Sequence, residues 1–245
     1  LRSNNQHGIH SPFVYDLVTK CIYDKKNYKD YSIIAKYHSV LKTNKSAISV
    51  KDLGAGSKVL TSNSRKISDI SKNAGITKRR AQLLYRIVKY FQPSSILELG
   101  TSLGMSTCAL SLGNPNANIV TIEGCPETAS IAKEQFKSNK LNNINLIINE
   151  FDKEINNLKS QKFDLIYIDG NHQKKATINY FNTLLNTVNN DSVVILDDIH
   201  WSKGMTEAWN IIKQNPKAKL TIDTFFWGIV FFRSEQEKQH FNIRV

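Results

Sequence analysis

The 245-residue chain lacks any apolar run near the roughly 20 residues that a membrane span requires. Its opening, Leu1-Arg2-Ser3-Asn4-Asn5-Gln6, lacks the apolar core of a secretory signal. It also lacks an initiator Met, so further residues upstream are expected. Cysteine is scarce: Cys21, Cys108 and Cys125 are scattered, odd in number and without metal-ligand spacing. That argues against a disulfide scaffold and fits a reducing, cytoplasmic setting. Internal repeats and low-complexity linkers are absent. Acidic residues are outnumbered, 21 Asp and Glu against 33 Lys and Arg, for a net charge of +12. Such a surface attracts nucleic acid, acidic headgroups or an anionic substrate. The lysines are spread along the chain, often among Asn, which reads as a solvated basic surface more readily than as a polyanion site.

What is present divides into two textures. Residues 1–75 are polar and irregular, with short helical stretches, and read as a cap or lid region. Residues 76–245 alternate helical and strand patterns in the βα rhythm of a parallel sheet. Leu83, Leu84, Ile87, Val88 and Phe91 recur at helical spacing and predict a helix over Lys78–Phe91, which Pro93 ends. Strands are predicted at Ser95–Leu99, Ile119–Ile122, Ile144–Ile148, Phe163–Ile168 and Ser192–Leu196. Helices are predicted at Met105–Leu112, Glu127–Asn139, Thr177–Val188 and Met205–Gln214. Lys219–Phe226 and Ile229–Arg233 are β-rich runs joined by Trp227-Gly228, the pattern of an antiparallel hairpin. Together these predict an α/β fold, a doubly wound, mostly parallel, seven-stranded Rossmann-like sheet with an antiparallel C-terminal hairpin and a smaller N-terminal cap. Ligands of such sheets sit outside the carboxyl ends of the strands, at the switch point.

The segment Ser95-Ile-Leu-Glu-Leu-Gly-Thr-Ser-Leu-Gly-Met-Ser106 runs from an apolar strand through a Gly-bearing turn into a helix. Gly100 permits a sharp turn and close approach of a ligand, and the free N–H groups at the helix start suit a carboxylate. Glu98 precedes the turn, and Glu123 ends the next strand, where an acid can accept both hydroxyls of a ribose. A dinucleotide turn would read G-x-G-x-x-G. Here a carboxylate precedes the first Gly, which repels pyrophosphate and attracts an α-ammonium, favouring S-adenosylmethionine over NAD. A second Gly turn, Val50-Lys-Asp-Leu-Gly-Ala-Gly-Ser57, is followed by polar sequence rather than by a strand ending in an acid. It reads as a loop, or as a basic lid using Arg65, Lys66, Arg79 or Arg80.

These residues carry a resemblance. Gln82-Leu-Leu, Ile96-Leu-Glu-Leu-Gly-Thr-Ser-Leu-Gly-Met-Ser, Phe163-Asp-Leu-Ile-Tyr-Ile-Asp169 and Val194-Ile-Leu-Asp-Asp-Ile-His-Trp201 resemble the O-methyltransferase branch of the class I S-adenosylmethionine-dependent methyltransferases, the branch with the catechol and caffeoyl-CoA enzymes. The match spans roughly residues 76–233. With His7-Gly-Ile-His-Ser-Pro-Phe13 and His240-Phe-Asn-Ile-Arg244, the whole chain looks closer still to a group of bacterial methyltransferases. The resemblance implies that Glu98, Gly100, Thr101, Ser102 and Gly104 surround the methionine end, with Ser106 at the helix start. It implies Glu123 and Gly124 at the ribose, Glu150 and Phe151 near the adenine, Asp169 over the reacting methyl, and Gln82 closing the site from above.

Relatives that use a metal hold it with an Asp after the fourth strand and an Asp-Asn pair after the fifth. The matching positions are Asp169, Asp197 and Asp198, where Asp replaces the Asn, a set that suits Mg²⁺ or Ca²⁺ but is more negative. A Lys that serves the relatives as base is replaced by His172, an imidazole. His172 is expected to accept the acceptor's proton, or to join a metal with Asp169 and Asp198; His200 is a further candidate. An Asp ending a parallel strand also serves as a helix cap, and either His also reads as a surface residue. Trp201 and Trp227 are candidates for the wall of an acceptor pocket, or for core packing. The His7–Tyr15 segment reads as a cover over that pocket or as an N-terminal cap. The expected activity is O-methylation of a small molecule. RNA methylation is the first rival, although no RNA-binding motif is present, and a non-catalytic cofactor-binding protein is the second. A homodimer stays open.

Overall fold

Ser11 starts the first helix of the computed structural model, which describes residues 10–51 and 62–245. Its hydroxyl accepts from the Val14 amide, and Pro12 sits in the first turn, where its missing N–H costs nothing. This helix, α1 (Pro12–Leu17), runs into a single π-helical turn at Val18–Ile22. Then come α2 (Tyr31–Thr43), the antiparallel pair β1 (Ala47–Ser49) and β2 (Ser64–Lys66), and α3 (Ile67–Asn73). From α4 (Lys78–Phe91) the elements alternate: β3 (Ser95–Leu99), α5 (Met105–Gly113), β4 (Asn118–Glu123), α6 (Pro126–Ser138), β5 (Ile144–Ile148), α7 (Phe151–Asn157) and β6 (Leu165–Ile168). The chain continues with α8 (Lys174–Leu184), β7 (Val193–Asp197), α9 (Lys203–Gln214), β8 (Leu220–Asp223), β9 (Trp227–Phe231) and β10 (Gln239–Asn242).

The main sheet has the order β10-β8-β9-β7-β6-β3-β4-β5. The strands from β7 to β5 are parallel to their neighbours, and β9 runs antiparallel between β7 and β8. From β3 the chain steps outward to β4 and β5, then returns to lay β6 on the other side of β3. That reversal is the switch point, and the carboxyl ends of β3, β4 and β6 meet there.

Alternation along the central strands feeds two cores. Ile96, Leu165, Tyr167, Val193 and Ile195 face one side, packed with residues of α1 to α6. Leu97, Leu99, Ile166, Ile168, Val194 and Leu196 face the other, packed with residues of α7, α8 and α9. Helices on both faces explain why these strands read as unbroken apolar runs rather than as alternating ones. No helix among the described residues is long and apolar enough to cross a membrane.

Three expectations are corrected. Among the described residues the sheet has eight strands, not seven. The eighth, β10, pairs parallel to β8, and only Phe241 of its four residues is buried, so it has no apolar run to mark it. The hairpin turns at Thr224–Phe226, because Trp227 is buried in β9 and Gly228 lies beneath the Trp209 ring; a Cβ on Gly228 would come within 2.6 Å of it. The short, acid-rich α7 is also additional to the predicted elements.

The N-terminal helices reach the switch point directly. The Tyr37 hydroxyl of α2 donates to the Leu103 carbonyl at 2.9 Å, within the turn that follows β3. Arg86 of α4 donates to the carbonyls of Cys21 and Ile22, at 2.9 and 3.0 Å, and so pins the π-helical turn.

His38 of α2 is 3% exposed. Neither ring nitrogen has a partner among the described residues. Burial, with Lys42 and Lys78 adding to it, pushes its pKa down to about 4. The folded value lies below the unfolded one, so this stability is complete above about pH 6.5 and drains away as the pH falls towards 4. Thermal melts between pH 7 and 4 should therefore show His38→Leu losing less stability than the unsubstituted protein, by about 2 kcal/mol after allowance for residual solvation. Superimposable curves would remove His38 from the acid response.

Candidate active site

Gly100 leaves β3 with φ 103°, and a Cβ there would lie 1.9 Å from the Asp169 carbonyl oxygen. Only glycine lets the ends of β3 and β6 abut in this way. The Gly100 amide donates to the Ile122 carbonyl of β4 at 3.0 Å, and the Asp169 amide donates to the Leu99 carbonyl at 2.8 Å. The turn continues through Ser102 at φ 48° to Gly104 at φ 77°, which caps α5. Thr101 lies under the turn, its hydroxyl 2.6 Å from that of Thr121.

Glu98 is completely buried. Its Oε2 accepts from the hydroxyls of Thr107 and Thr121 at 2.5 and 2.6 Å, while Oε1 has no partner among the described residues. Burial raises its pKa, the hydroxyls of Ser106, Thr107 and Thr121 work against that rise, and Glu123 adds to it. Glu123 ends β4. Its two oxygens accept the amides of Ser102 at 2.7 Å and Cys125 at 2.9 Å, which brackets Gly124. Glu98, Gly100, Thr101, Ser102, Gly104, Ser106, Glu123 and Gly124 thus form one connected turn region. Phe151 joins it from α7, its ring 2.6 Å from the position a Cβ on Gly170 would take. Glu150 is exposed and pairs with Lys153 at 3.3 Å.

A second group forms at the ends of β6 and β7. The Tyr167 hydroxyl lies 2.9 Å from Asp197 Oδ2 and 3.3 Å from Asp169 Oδ2. One hydroxyl proton cannot serve both carboxylates. Burial, then Asp197 and Asp198, push the Asp169 carboxyl well above the ordinary carboxylate range. His172 approaches from the loop after β6, its Nε2 3.6 Å from Asp169 Oδ1 and its ring 6.0 Å from that of Trp201. Arg80 of α4 reaches in from above, Nη1 3.3 Å from Asp197 Oδ1 and 3.5 Å from Asp198 Oδ1. Burial opposes its charge, but Asp197, Tyr167, Asp198 and Asp169 outweigh that and hold the guanidinium above its usual value.

The expected metal set is corrected here. Among the described residues no three Asp, Glu, His or Cys side chains are grouped so as to hold a metal ion. Asp197 and Asp198 face Arg80 instead, and Asp197 is further engaged by Tyr167 and by the Asp198 amide, at 2.8 Å. The residues present do not fit a hard divalent ion. His200 has Nε2 2.8 Å from Asp223 and Nδ1 3.1 Å from Thr206, so neither nitrogen is left for a substrate. Trp227 is wholly buried against Tyr167 and is core, not pocket wall. Gln82 is partly exposed on α4. Most of the second Gly turn, and residues 1–9 of the opening segment, lie outside the described residues. A cavity of 360 Å³ bordered by Phe13, Phe91, Asp164 and Arg233 lies at the opposite, amino ends of the strands. The role of Tyr167 was legible in principle, since two residues before Asp169 on one strand means the same face. The pairing of Arg80 with acids 117 and 118 residues downstream has no local signal.

Residues 97–199 match a family described as a methyltransferase domain. No curated protein matches the chain. Among solved structures, an SAH-bound Podospora anserina methyltransferase aligns over 94% of this chain and 99% of its own, at 17% identity and TM-score 0.64. An O-methyltransferase from Bacillus cereus in complex with SAH aligns over 89% and 97%, at 18% identity and TM-score 0.58. The Streptomyces achromogenes O-methyltransferase TomG, in complex with SAM, aligns over 88% and 92%, at 17% identity and TM-score 0.57. Such identities establish a shared fold, and the domain match adds the class of chemistry. Residues 97–199 thus match a methyltransferase domain, and the chain as a whole shares the fold of these SAH- and SAM-bound methyltransferases.

Proposed function

We propose that this methyltransferase methylates a hydroxyl oxygen of a small molecule, with the cofactor seated on the β3–β4 crossover. The observation that carries the reading is the setting of Glu123. Its carboxylate is held by two loop amides beside a glycine turn that admits no side chain, and its remaining lone pairs are directed by that grip. Glu98 adds a buried carboxylate oxygen with no partner beneath the same turn. Both features fit a ligand with a diol at one end and an ammonium at the other. In this reading Gly100, Thr101, Ser102, Gly104 and Ser106 enclose the methionine end, with Glu98 below. Glu123 and Gly124 hold the ribose, Phe151 lies along the adenine and Glu150 borders it.

Bound S-adenosylmethionine supplies an electrophilic methyl on a sulfonium sulfur. The chain's own task is to align an acceptor oxygen, exclude water and remove a proton. In this reading His172 accepts that proton; its Nε2 lies 3.6 Å from Asp169 Oδ1, which orients the ring. Were that cofactor bound, it would give up its methyl to the acceptor oxygen and be left as the neutral thioether, and the chain's part would be for His172 to take up the proton that the oxygen loses. Trp201, beside His172, gives the acceptor an aromatic edge to lie against.

Two measurements test this. Calorimetry should show S-adenosylhomocysteine binding to the unsubstituted protein, with Glu123→Ala weakening it by about 10- to 150-fold, the loss of one charge-assisted hydrogen bond. No affinity for that compound, alongside firm binding of NAD, would overturn the cofactor assignment. Transfer of a tritiated methyl group to a panel of phenols and sugar alcohols should fall by about 10²- to 10⁴-fold in His172→Ala, with S-adenosylhomocysteine affinity unchanged. An undiminished rate would remove His172 as the base.

A further inference from the structure

Three carboxylates at the ends of β6 and β7 demand a positive partner, and the chain supplies one itself. Arg80 stands in the first turn of α4, which is fixed by Thr77: its hydroxyl accepts the Arg80 amide at 3.3 Å. The side chain is 20% exposed, and that of Asp197 only 2%. The guanidinium carbon lies 5.3 Å from the centroid of the Phe226 ring, so an aromatic face from the β8–β9 turn backs the cation. Arg80 Nε is buried and has no partner among the described residues. The group is thus held from several sides and aimed at Asp197 and Asp198 together.

The same contacts decide what else these acids can hold. Asp197 Oδ1 faces Arg80 and accepts the Asp198 amide, Asp197 Oδ2 faces Tyr167, and Asp198 Oδ1 faces Arg80. Mg²⁺ demands a near-octahedral oxygen shell and Ca²⁺ six to eight oxygens. An incoming ion would have to expel a cation that never deprotonates, and would face it across a partly desolvated gap.

We propose that Arg80 is the built-in cation of this acceptor site, standing where a divalent ion would otherwise sit and keeping Asp197 and Asp198 from binding one. Arg80 is then a positioning residue: it fixes the two acids and leaves a permanent positive charge beside the place where the acceptor oxygen turns anionic. The exclusion of metal rests on the acid cluster alone; its meaning for catalysis rests on the methyltransferase reading above.

Manganese(II), followed by electron paramagnetic resonance, is a direct probe for a hard divalent site. The full chain should leave manganese free up to millimolar concentrations. Arg80→Met should gain one site at least about tenfold tighter, because two carboxylates lose their counter-charge. Arg80→Lys should restore exclusion, and adding Asp198→Asn to Arg80→Met should abolish the gain. Stoichiometric manganese binding by the unsubstituted protein that Asp198→Asn removes would overturn the proposal, as would no gain in a folded Arg80→Met. Should Arg80→Met fail to fold, the unsubstituted protein and Arg80→Lys decide: exclusion by both supports the proposal, and a site in either sinks it. Calorimetry with S-adenosylhomocysteine on each protein separates the two readings. A reversed manganese pattern with that affinity intact refutes the role of Arg80 alone. The expected pattern with no such affinity refutes the methyltransferase site alone.

Discussion

The contact between Gly100 and the Asp169 carbonyl is the constraint on which the site depends. A side chain at Gly100 would have to occupy space 1.9 Å from that oxygen, so any other residue would force β3 and β6 apart at their carboxyl ends. Their separation is what brings the acid of β4, the acid of β6 and the turn into α5 to one crevice. The Gly100 amide is tied to β4 and the Asp169 amide to β3, so three strand ends are fixed by two backbone bonds. The N-terminal helices add a third tie, through Tyr37 to the Leu103 carbonyl. The first part of the chain therefore braces the turn as well as covering the core.

Charge is distributed against the overall balance. A chain with net charge +12 places Asp169, Asp197 and Asp198 together at the carboxyl ends of β6 and β7. Arg80 is drawn in among these acids. Desolvation makes this pairing consequential. Partly buried carboxylates left without a counter-charge repel one another strongly, and a fixed guanidinium relieves that repulsion more permanently than an exchangeable ion.

Sequence patterning resolved the parts of the fold in which local and long-range forces agree. Lys78–Phe91, Ser95–Leu99 and Ile144–Ile148 take the predicted bounds; for the helix, apolar spacing, the Thr77 cap and the following Pro93 mark the same limits. Elements decided by distant partners stayed hidden. β10 is polar and exists because β8 offers it an edge, and the hairpin turn is shifted because Trp209 claims the space over Gly228. The same division holds at the site. The glycine turn and the acid ending β4 are local features and were readable. The counter-ion of Asp197 and Asp198 lies on a helix more than a hundred residues upstream, so the resemblance to metal-using relatives, read without it, implied a metal.

Seven non-glycine residues among those described have left-handed φ, and five of them, Ser102, Asn171, His172, Asp198 and Phe225, follow the carboxyl ends of strands. Such conformations cost energy that the surroundings must offset. Three of the five offset it in one way, by giving the strained residue's amide to a strand-end carboxylate. Ser102 donates to Glu123 at 2.7 Å, Asp198 to Asp197 at 2.8 Å and Phe225 to Asp223 at 2.8 Å. The acids that end these strands therefore hold the loops in place before any ligand arrives. Structural and chemical roles are not alternatives for these residues. A carboxylate committed to a backbone amide has fewer orientations to lose on meeting a substrate, so the groups that stabilise the strained loops also preorganise the site.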